Sequence, residues 1–375
     1  MADNKDKKVL NVPALRFPEF TEEWESVLLE DVAEFQKKRI SSDLLNNSNY
    51  ISTENILQNF GGVQNSISIP ANTNVIEYQK GDVLLSNIRP YLKKVWLSDR
   101  HGGCSADVFV LRGNQCERRF LYYVIASDRF INFVMSGAKG VKMPRGDKSQ
   151  MEKFAFFIPT NVEQKKIARF LSMLDERIRL QNKIIEDLKK LKSALYQEMF
   201  GSLVAPTLKL GQVAEIVKGK QVNGTELLEQ GDYYVMNGGT FPSGWLNKFN
   251  TEANTISISE GGNSCGYVQY NTSRYWSGGH CYSLKILHPQ EVSDLYLYHF
   301  LKWQEGNIMA LRIGSGLPNI QKKDLLHFPI ILPTIDKQKS IISVLTAIDA
   351  KIACEVSLTE YYTMQKDFLL RNLFI

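Results

Sequence analysis

Residues 157–167 read Phe157-Ile-Pro-Thr-Asn-Val-Glu-Gln-Lys-Lys-Ile167, and residues 171–178 read Leu171-Ser-Met-Leu-Asp-Glu-Arg-Ile178. Within them, Thr160-Asn-Val-Glu163 fits a capping box just after a proline, which is typical of a helix start. A glycine at position 201 follows the last apolar residue of the pattern, which is typical of a helix end. The sequence therefore predicts a helix over residues 161–200, on the order of 60 Å long at ~1.5 Å per residue.

The same stretch occurs again 174 residues further on, as Pro333-Thr-Ile-Asp-Lys-Gln338 and then Ile348-Asp-Ala-Lys-Ile352. The similarity extends towards the N-terminus, where Leu29–Arg39 resembles Leu210–Lys220. A period of this length indicates a duplicated domain, because solenoid repeats are ~20–50 residues long. The chain is predicted to hold two copies of one plan, a mixed globular region and then a long helix. The second helix covers residues 335–373.

Apolar residues recur at alternating spacings of four and three along both predicted helices, which is the pattern of a coiled-coil seam. The globular regions offer too little surface to cover both seams. We therefore expect the helices to pack on each other, and to run antiparallel if the second globular region turns back. The predicted seam residues are Ile167, Leu171, Leu174, Ile178, Ile185, Leu188 and Leu195 in the first helix and Ile341, Leu345, Ile348, Ile352, Tyr362 and Leu369 in the second.

Polar residues interrupt both seams at matching places. Gln181 matches Glu355, and Lys192 matches Lys366. A shared polar interruption can fix the register of a coiled coil at some loss of stability. The alternative is a chance polar residue at a frayed or partner-facing position, and the sequence does not separate the two.

The globular regions have the pattern of mixed α and β structure with glycine-rich turns. The predicted elements are strands near Val83–Ser86, Asp107–Leu111, Thr255–Ser259 and Tyr282–Leu287 and amphipathic helices near Arg119–Val134 and Leu295–Leu311. We therefore predict an α+β fold of two similar mixed α/β domains, each followed by a long helix. The two helices are predicted to form an antiparallel coiled coil with pseudo-two-fold symmetry.

Composition narrows the class of protein. The 375 residues are 43% hydrophobic and 23% charged, which suits two or three folded domains. The net charge of +5 permits nucleic-acid binding without establishing it. The charged first residues carry no apolar secretory segment, the apolar runs are too short to span a membrane, and the five cysteines include no C-x-x-C pair. We expect a soluble cytoplasmic protein with reduced thiols.

Sequence motifs for catalysis are scarce. The sequence has no G-x-x-x-x-G-K-[ST] loop, no H-E-x-x-H and no Asn- or Asp-Pro-Pro-aromatic element, and its five histidines lack metal-ligand spacing. The run Gly278-Gly-His-Cys281 favours a turn before a strand over a thiol–imidazole pair, because neighbouring strand residues point to opposite faces. We predict no catalytic residue and no metal site.

Basic residues group in predicted loops. Ser86–Lys94 and Lys139–Lys148 are basic in the first copy, and Arg312–Lys323 corresponds to the latter in the second copy. Backbone amides at helix starts suit phosphate, whereas Arg, Asn and Gln suit base edges. A merely solvated basic loop is the alternative, but the occurrence in both copies favours binding.

The candidate DNA-binding residues share basic or amide character in loops. They are Asn87, Arg89, Lys93, Lys94, Lys139, Lys142 and Arg145 in the first copy and Lys218, Lys220, Asn263, Arg274, Asn319, Gln321 and Lys322 in the second. We expect the lysines to contact phosphate mainly. Arg89 and Asn319 are the candidates for base contact.

The two helix openings, each Pro-x-x-x-x-Gln, then Ile, then an Asp-x-x-Ile string, resemble those of the specificity (S) subunits of type I restriction–modification enzymes. Further similarity lies in Pro13-Ala-Leu-Arg-Phe-Pro-Glu-Phe20, Trp24 and Leu29–Val32. The second copy departs mildly from the pattern. Lys337 stands where the first copy has Glu163, and Ile348 stands where it has Leu174.

The resemblance implies a division of labour. Each globular region is a target-recognition domain that reads one half of a bipartite sequence in double-stranded DNA, and the helices act as a spacer. Two methyltransferase (M) subunits dock around the helices, and restriction (R) subunits join them. Catalysis belongs to these partners, with S-adenosylmethionine in the M subunit and ATP and Mg in the R subunit, and this chain binds no cofactor. Because the recognition domains differ, we expect an asymmetric target.

The predicted domain bounds follow from the same alignment of copies. They are 1–20 for an N-terminal segment, 21–160 for the first recognition domain, 161–205 for the central helix and linker, 206–333 for the second recognition domain and 334–375 for the C-terminal helix. A competing interpretation is a duplicated coiled-coil scaffold that binds proteins and not DNA, supported by the modest net charge. An enzyme with an unrecognised site is disfavoured because the sequence lacks the catalytic motifs named above.

Overall fold

The computed structural model describes residues 11–314 and 316–374. The described residues form two compact units, one of residues up to Gln181 together with those from Leu358 onwards, the other of Asn182–Ser357. Residues 11–20 of the predicted N-terminal segment lie in the first unit, and residues 1–10 are outside the described range. Each unit therefore contains a globular part and segments of both long helices.

The first unit carries two four-stranded sheets and a two-stranded ladder. Its strands are β1 (Glu25–Leu28), β2 (Ala33–Phe35), β3 (Arg39–Ser41), β4 (Tyr50–Ile51), β5 (Asn74–Tyr78), β6 (Val83–Ser86), β7 (Val95–Leu97), β8 (Gly102–Cys104), β9 (Val108–Gly113) and β10 (Ala155–Ile158). Its shorter helices are α1 (Leu29–Val32), α2 (Arg118–Ile125), α3 (Asp128–Ser136) and α4 (Lys148–Glu152). The sheet orders are β2-β9-β6-β7 and β3-β5-β8-β4, and β1 pairs antiparallel with β10.

The long helices are α5 (Asn161–Gly201) and α10 (Ile335–Asn372), close to the predicted bounds. The second unit's strands are β11 (Thr207–Lys209), β12 (Ala214–Lys218), β13 (Tyr233–Met236), β14 (Trp245–Leu246), β15 (Thr255–Ser259), β16 (Val268–Asn271), β17 (Trp276–Ser277), β18 (Cys281–Ile286) and β19 (Pro329–Ile331). Its shorter helices are α6 (Leu210–Val213), α7 (Asp294–Trp303), α8 (Glu305–Met309) and α9 (Lys322–Leu326).

Both units follow one strand plan. The order β12-β18-β15-β16 in the second unit corresponds to β2-β9-β6-β7 in the first, and β11 pairs with β19 as β1 pairs with β10. The second sheets differ, because the second unit has the three strands β14-β13-β17 where the first has four. The predicted fold of two similar mixed α/β domains, each followed by a long helix, is confirmed.

The long helices run antiparallel beside each other, as predicted. In the first unit the start of α5 meets the end of α10, where Lys366 pairs with Asp175. In the second unit the end of α5 meets the start of α10, where Lys192 pairs with Asp349. The two ion pairs are counterparts at the 174-residue offset, because Asp175 matches Asp349 and Lys192 matches Lys366.

The seam residues of both helices are withdrawn from solvent. Those that are buried are Ile167, Leu171, Ile185, Ile341, Leu345 and Ile348, and those that are half-buried are Leu174, Ile178, Leu188, Leu195, Ile352, Tyr362 and Leu369. The helix ends also enter the globular cores, which the sequence did not predict. Phe200 packs edge-on to Phe300 in the second unit, because an aromatic ring at the end of α5 reaches the buried face of α7.

A buried glutamine explains the Pro-x-x-x-x-Gln motif. Gln164 Nε2 donates to the Pro159 carbonyl at 2.8 Å, and its Oε1 accepts from the Glu117 backbone N–H at 2.9 Å. Gln338 makes the equivalent bonds at the start of α10, at 2.9 Å each. The glutamine satisfies backbone groups at two helix starts at once, so it fixes each long helix to the short helix α2 or α7 of its domain.

Each predicted amphipathic helix is broken in two in the structure, which corrects the sequence prediction. The run predicted near Arg119–Val134 forms α2 and α3, because Ser127 caps the second helix by accepting from the Phe130 N–H at 3.2 Å. The run predicted near Leu295–Leu311 forms α7 and α8, which join at Gln304. Apolar periodicity continues through both breaks and concealed them.

The N-terminal segment explains the departure at Lys337. The Glu163 side chain is buried, and both of its oxygens accept from the Arg16 guanidinium at 2.8 Å. Nearby, Phe17 packs edge-on to Phe170 of α5. Lys337, the counterpart of Glu163, is exposed. The acidic residue therefore belongs to a site where the N-terminal segment lies against α5.

Candidate nucleic-acid interface

Each unit presents a short hairpin at corresponding positions. In hairpin 1 (residues 139–145), the Lys139 N–H donates to the Arg145 carbonyl at 3.0 Å and the Arg145 N–H donates back at 2.9 Å. In hairpin 2 (residues 313–319, described except for 315), Ile313 and Asn319 exchange the same two bonds at 2.8 and 3.0 Å. Two loops predicted to be basic thus share one backbone geometry.

A glycine begins each of these turns. Gly140 has φ of 98°, and its counterpart Gly314 has φ of 99°. A side chain at such an angle is strained, so the turn requires glycine. Gly140 and Gly314 therefore supply the left-handed residue at the start of each turn.

Both hairpins dock on the loop that follows a central strand. The Arg89 N–H donates to the Pro144 carbonyl at 2.8 Å, and the Gly262 N–H donates to the Pro318 carbonyl at 3.0 Å. The loop after β6 thereby carries hairpin 1, and the loop after β15 carries hairpin 2. Two loops that were singled out separately in the first copy, Ser86–Lys94 and Lys139–Lys148, form one surface.

Arg89 has a left-handed backbone, with φ of 50° and ψ of 64°. Its counterpart in the docking bond is Gly262, with φ of 76°. The left-handed conformation destabilises an arginine by roughly 1–2 kcal/mol, whereas glycine adopts it without strain. The surrounding structure therefore holds Arg89 in an unfavourable backbone conformation. Its Nε is buried without a hydrogen-bond partner among the described residues. Strained residues of this kind cluster at functional sites.

Carboxylates position the cations of hairpin 1. Lys139 Nζ lies 2.9 Å from an Asp147 oxygen, and Arg145 lies 2.9 Å from Asp107. The Lys139 ammonium, with the Gln150 backbone N–H, holds the pKa of the Asp147 carboxyl below its ordinary value. Lys142, at the tip, is exposed.

The remaining candidates of the first copy are held by other groups. Lys93 pairs with Asp128 at 2.6 Å, and Lys94 Nζ donates to the Thr53 carbonyl at 2.6 Å. Asn87 accepts at its backbone carbonyl from the Gly146 N–H at 3.2 Å, which secures the end of hairpin 1. The structure thus gathers Asn87 and Arg89 with hairpin 1 and directs Lys93 and Lys94 to other contacts.

In the second unit, the Glu260 carboxylate lies beside the loop on which hairpin 2 docks and binds side chains around it. One oxygen of Glu260 accepts from Lys218 Nζ at 2.7 Å and from the Tyr282 hydroxyl at 2.8 Å. The other oxygen, Oε2, is buried without a hydrogen-bond partner in the described residues and lies 3.9 Å from His280 Nδ1. The Glu260 carbonyl accepts from the Ile320 N–H at 2.8 Å, which secures the end of hairpin 2.

Amide and basic side chains surround this carboxylate. Asn263 is exposed in the turn after Gly262, and Asn319 is exposed at the base of hairpin 2. Gln321 and Lys322 are exposed at the start of α9. The structure brings these four residues and Lys218 to one edge of the second unit.

Two candidates of the second copy are held differently. Arg274 Nε lies 2.9 Å from Glu252, and its guanidinium stacks over the Phe249 ring at 4.7 Å. Lys220 is exposed, and its carbonyl accepts from the Trp276 indole N–H at 2.9 Å. These contacts place both residues on the β17 side of the unit.

Sequence reasoning passed over the acidic residues that organise both surfaces. It selected basic and amide residues only, so Asp107, Asp147 and Glu260 were missed. Glu260 could have been found by aligning the two copies. It occupies the position of the candidate Asn87, just before the loop on which each hairpin docks.

A serine motif was also missed. Gly262-Asn-Ser-Cys-Gly266 has the spelling of the G-x-S-x-G nucleophile elbow. That elbow joins a strand to a helix, whereas this turn leads into β16. The Ser264 hydroxyl donates to the Gly238 carbonyl at 2.5 Å, so it closes a turn.

Two absences concern residues 11–314 and 316–374, the part of the chain that the structure describes. Within these ranges, no group of three or more His, Cys, Asp or Glu side chains is arranged to hold a metal ion. In the same part of the chain, no helix is both long enough and apolar enough to cross a membrane.

Two stretches of the chain are similar to a known protein family. A family model described as the type I restriction modification DNA specificity domain matches residues 21–190 and again 206–360. The two matches correspond to the two copies seen in the sequence.

Individual relatives carry the same description. A Mycoplasma pneumoniae protein named "Putative type I specificity subunit S.MpnORF638P" is 36% identical over 166 residues, 44% of this chain and 44% of that protein. The MjaVIII type I restriction enzyme specificity subunit of Methanocaldococcus jannaschii is 23% identical over 92% of this chain and 90% of its own length. The chain matches less than half of the length of the first of these relatives.

A solved structure shares the fold. The S subunit of a type I restriction–modification system from M. genitalium superposes with a TM-score of 0.69 at 20% identity. The match covers 97% of this chain and 99% of that chain. The two-copy architecture is therefore shared along almost the whole length of both proteins.

Proposed function

This chain belongs to the family of type I restriction–modification DNA specificity proteins, and we propose that each of its two units reads one half of a bipartite DNA target through its hairpin and the loop beneath it. The observation that carries the proposal is the equivalent docking of hairpins 1 and 2, with Arg89 and Gly262 in the same backbone bond. Loops on a rigid scaffold are a usual place for recognition residues.

Charge supports DNA as the ligand. Residues 139–148 hold four basic residues and one acidic residue, and residues 312–323 hold three basic residues and no acidic one, so each stretch has a net charge of +3. Lysines in these stretches suit the phosphate backbone, which supplies the sequence-independent part of affinity. The chain's modest total charge conceals this concentration.

The two half-sites are expected to differ. At corresponding positions the first unit has Asn87, Arg89 and Arg145, where the second has Glu260, Gly262 and Asn319. Arginine prefers guanine, asparagine prefers adenine and glutamate accepts from cytosine in the major groove. Different side chains at one geometry favour an asymmetric target.

The long helices are the proposed spacer and docking surface. Large apolar side chains remain exposed on them, namely Met173, Leu180, Tyr361, Met364 and Phe368 in the first unit and Ile184, Leu191, Val344 and Val356 in the second. We assign this surface to two methyltransferase subunits, which restriction subunits then join. An apolar surface on charged helices is typical of an interface with another protein.

Catalysis is assigned to the partners. The chain positions them on the target, while the methyltransferase subunit supplies S-adenosylmethionine-dependent adenine methylation and the restriction subunit supplies ATP- and Mg-dependent cleavage. The domain bounds 21–160 and 206–333 are the proposed recognition domains, joined to helices at 161–205 and 334–375. Cytoplasmic location follows from this proposed role.

Methylome sequencing tests the function. A host without other methyltransferases expresses the cognate methyltransferase subunit with and without this chain. We expect a bipartite motif with methyladenine in both halves that disappears when the chain is omitted. Modification that persists without the chain contradicts the proposal. A stable complex of both subunits that methylates nothing favours the protein-binding scaffold instead.

A further inference from the structure

The tips of both hairpins expose large apolar side chains. Val141 is fully exposed at the tip of hairpin 1, and Met143 is 49% exposed beside it. Leu317 of hairpin 2 is 87% exposed. Met143 and Leu317 are counterparts at the 174-residue offset. Each of the two compact units therefore exposes a large apolar side chain that is not β-branched at the same position of its hairpin.

The base of each hairpin is fixed, so its tip has a defined direction. Hairpin 1 is closed by the Lys139–Arg145 bonds and docked through the Pro144 carbonyl, and hairpin 2 is closed and docked in the same way. An apolar side chain on such a support is held in water rather than folded back into the core. Because the hairpin is already fixed, less conformational entropy is lost when a partner binds its tip.

The surroundings of the tips select the partner. Each tip projects from a stretch with a net charge of +3, which is complementary to a phosphate backbone. Base edges in a groove are polar, so an aliphatic side chain finds apolar surface only at a thymine methyl group or between base planes. Leucine and methionine are among the residues that proteins insert between base steps.

The comparison of the units separates these two apolar contacts. The residues proposed to read sequence differ between the units, for example Arg145 and Asn319, whereas the position of Met143 and Leu317 is apolar in both. A thymine methyl group occurs only at particular positions, but every base step has an apolar face. The apolar position is kept although the residues proposed to read sequence change. It therefore fits the face of a base step better than a thymine methyl group.

We propose that Met143 and Leu317 are wedges that insert between adjacent base pairs, one in each half of the DNA target, and kink the duplex there. The inference rests on the proposed function and deepens it, because it separates sequence-reading residues from residues that deform DNA. It predicts that the wedges contribute to affinity without setting the target motif.

Fluorescence of 2-aminopurine tests the wedges in the complex of the full chain with its methyltransferase subunit. The probe is a duplex carrying the motif found by methylome sequencing, with 2-aminopurine placed at one step at a time. We expect one unstacked step near each half-site. Met143→Ser removes the signal in the first half only, Leu317→Ser removes it in the second half only, and each lowers affinity roughly tenfold.

Controls make the readout specific. Met143→Leu keeps an aliphatic wedge and retains the signal, and Val204→Ser removes an exposed apolar residue outside both hairpins without effect. An adenine extruded for methylation gives a separate signal that neither serine variant abolishes. End-to-end energy transfer across the duplex reports the kink, and the thermal unfolding midpoint shows that the variants fold.

Different outcomes would overturn the wedge assignment and the proposed function. If the serine variants bind DNA and leave both fluorescence and bending unchanged, the wedge assignment is wrong. If they lose the methyltransferase subunit while free-chain folding is intact, the tips are a protein-docking site, and the assignment is equally wrong. If the unaltered complex shows no sequence-dependent DNA binding, the proposed function itself fails.

Discussion

Lys366 near the end of α10 holds its ammonium 2.5 Å from a carboxylate oxygen of Asp175 in α5. The other Asp175 oxygen accepts from the Tyr123 hydroxyl at 2.7 Å, so one carboxylate joins both long helices to α2. Lys192 and Asp349 repeat the ion pair in the second unit. The matching polar interruptions Lys192 and Lys366 thus each have a partner at an equivalent position.

Asp175→Asn tests this contact as a stabilising one. The change removes the charge that faces the mostly buried Lys366, and we expect the free energy of unfolding of the first unit to fall by about 1–2 kcal/mol. Urea unfolding followed by tryptophan fluorescence measures the loss. Asp187→Asn, which breaks an exposed pair with Lys190, is the matched control and should change stability by less than about 0.5 kcal/mol. Equal effects of both changes would refute the assignment.

His299 gives the second unit a pH-dependent stability. Its Nδ1 lies 3.0 Å from the Tyr196 hydroxyl, and burial lowers the pKa of the imidazole to about 4. The unfolded chain binds a proton near pH 6.5, whereas the folded chain resists it until about pH 4. Stability from this group is therefore complete above pH 6.5 and is lost as the pH falls towards 4.

The lost stability amounts to about 3 kcal/mol at most, from the difference between the two pKa values. His299→Gln removes the titrating group, so its unfolding free energy should decline less steeply between pH 6.5 and 4. Denaturant titrations at intervals of pH compare the two proteins. An identical pH slope in the variant would show that other groups control the acid sensitivity.

Arg89→Gly separates backbone strain from recognition. The second unit has a glycine, Gly262, at the corresponding position. Because glycine adopts the left-handed conformation freely, the variant keeps the backbone as it is. Relief of strain and the greater freedom of unfolded glycine offset each other, and stability should stay within about 1 kcal/mol. Affinity for the target should fall by about 1–3 kcal/mol through loss of the guanidinium.

Arg89→Ala is the companion variant, because it removes the guanidinium but keeps a strained side chain. It should bind as weakly as Arg89→Gly and unfold more easily. Direct binding titrations and thermal unfolding midpoints provide both comparisons. Unchanged affinity and unchanged sequence preference in both variants would remove Arg89 from the interface.

Salt dependence distinguishes phosphate contacts from structural lysines. Lys142 is exposed at the tip of hairpin 1, so Lys142→Ala should lower the slope of log affinity against log salt by ~0.9. Lys94 Nζ donates to the Thr53 carbonyl, so Lys94→Ala should lower stability and change the slope less. Affinity measured from low to moderate salt gives the slopes. The reverse order of the two effects would contradict these roles.

The duplicated plan was accessible from sequence because it rests on periodicity and on two matching helix openings. The bounds of α5 follow from a proline, a capping-box pattern at Thr160–Glu163 and a terminal glycine, all local signals. The breaks within the predicted amphipathic helices were missed because Ser127 caps α3 inside an uninterrupted apolar pattern. Local propensity does not reveal where a helix turns to fit the core.

The candidate surface was only partly predictable. Hairpins 1 and 2 were visible as basic loops in corresponding positions, but their docking on Arg89 and Gly262 is a backbone contact between segments distant in sequence. Lys93 and Lys94 look as suitable as Lys142 in sequence, yet their ammonium groups lie against Asp128 and Thr53. Only the folded structure separates a lysine facing solvent from one that holds a loop.

The most direct test of the central claim is the methylome of two variants, each altered in one unit. Hosts that express the methyltransferase subunit with Arg89→Ala or with Asn319→Ala are compared with the unaltered chain. If each unit reads its own half of the target, Arg89→Ala relaxes the motif in one half only and Asn319→Ala relaxes it in the other half only. Changes in both halves from either variant, or a motif that neither variant alters, would contradict the claim.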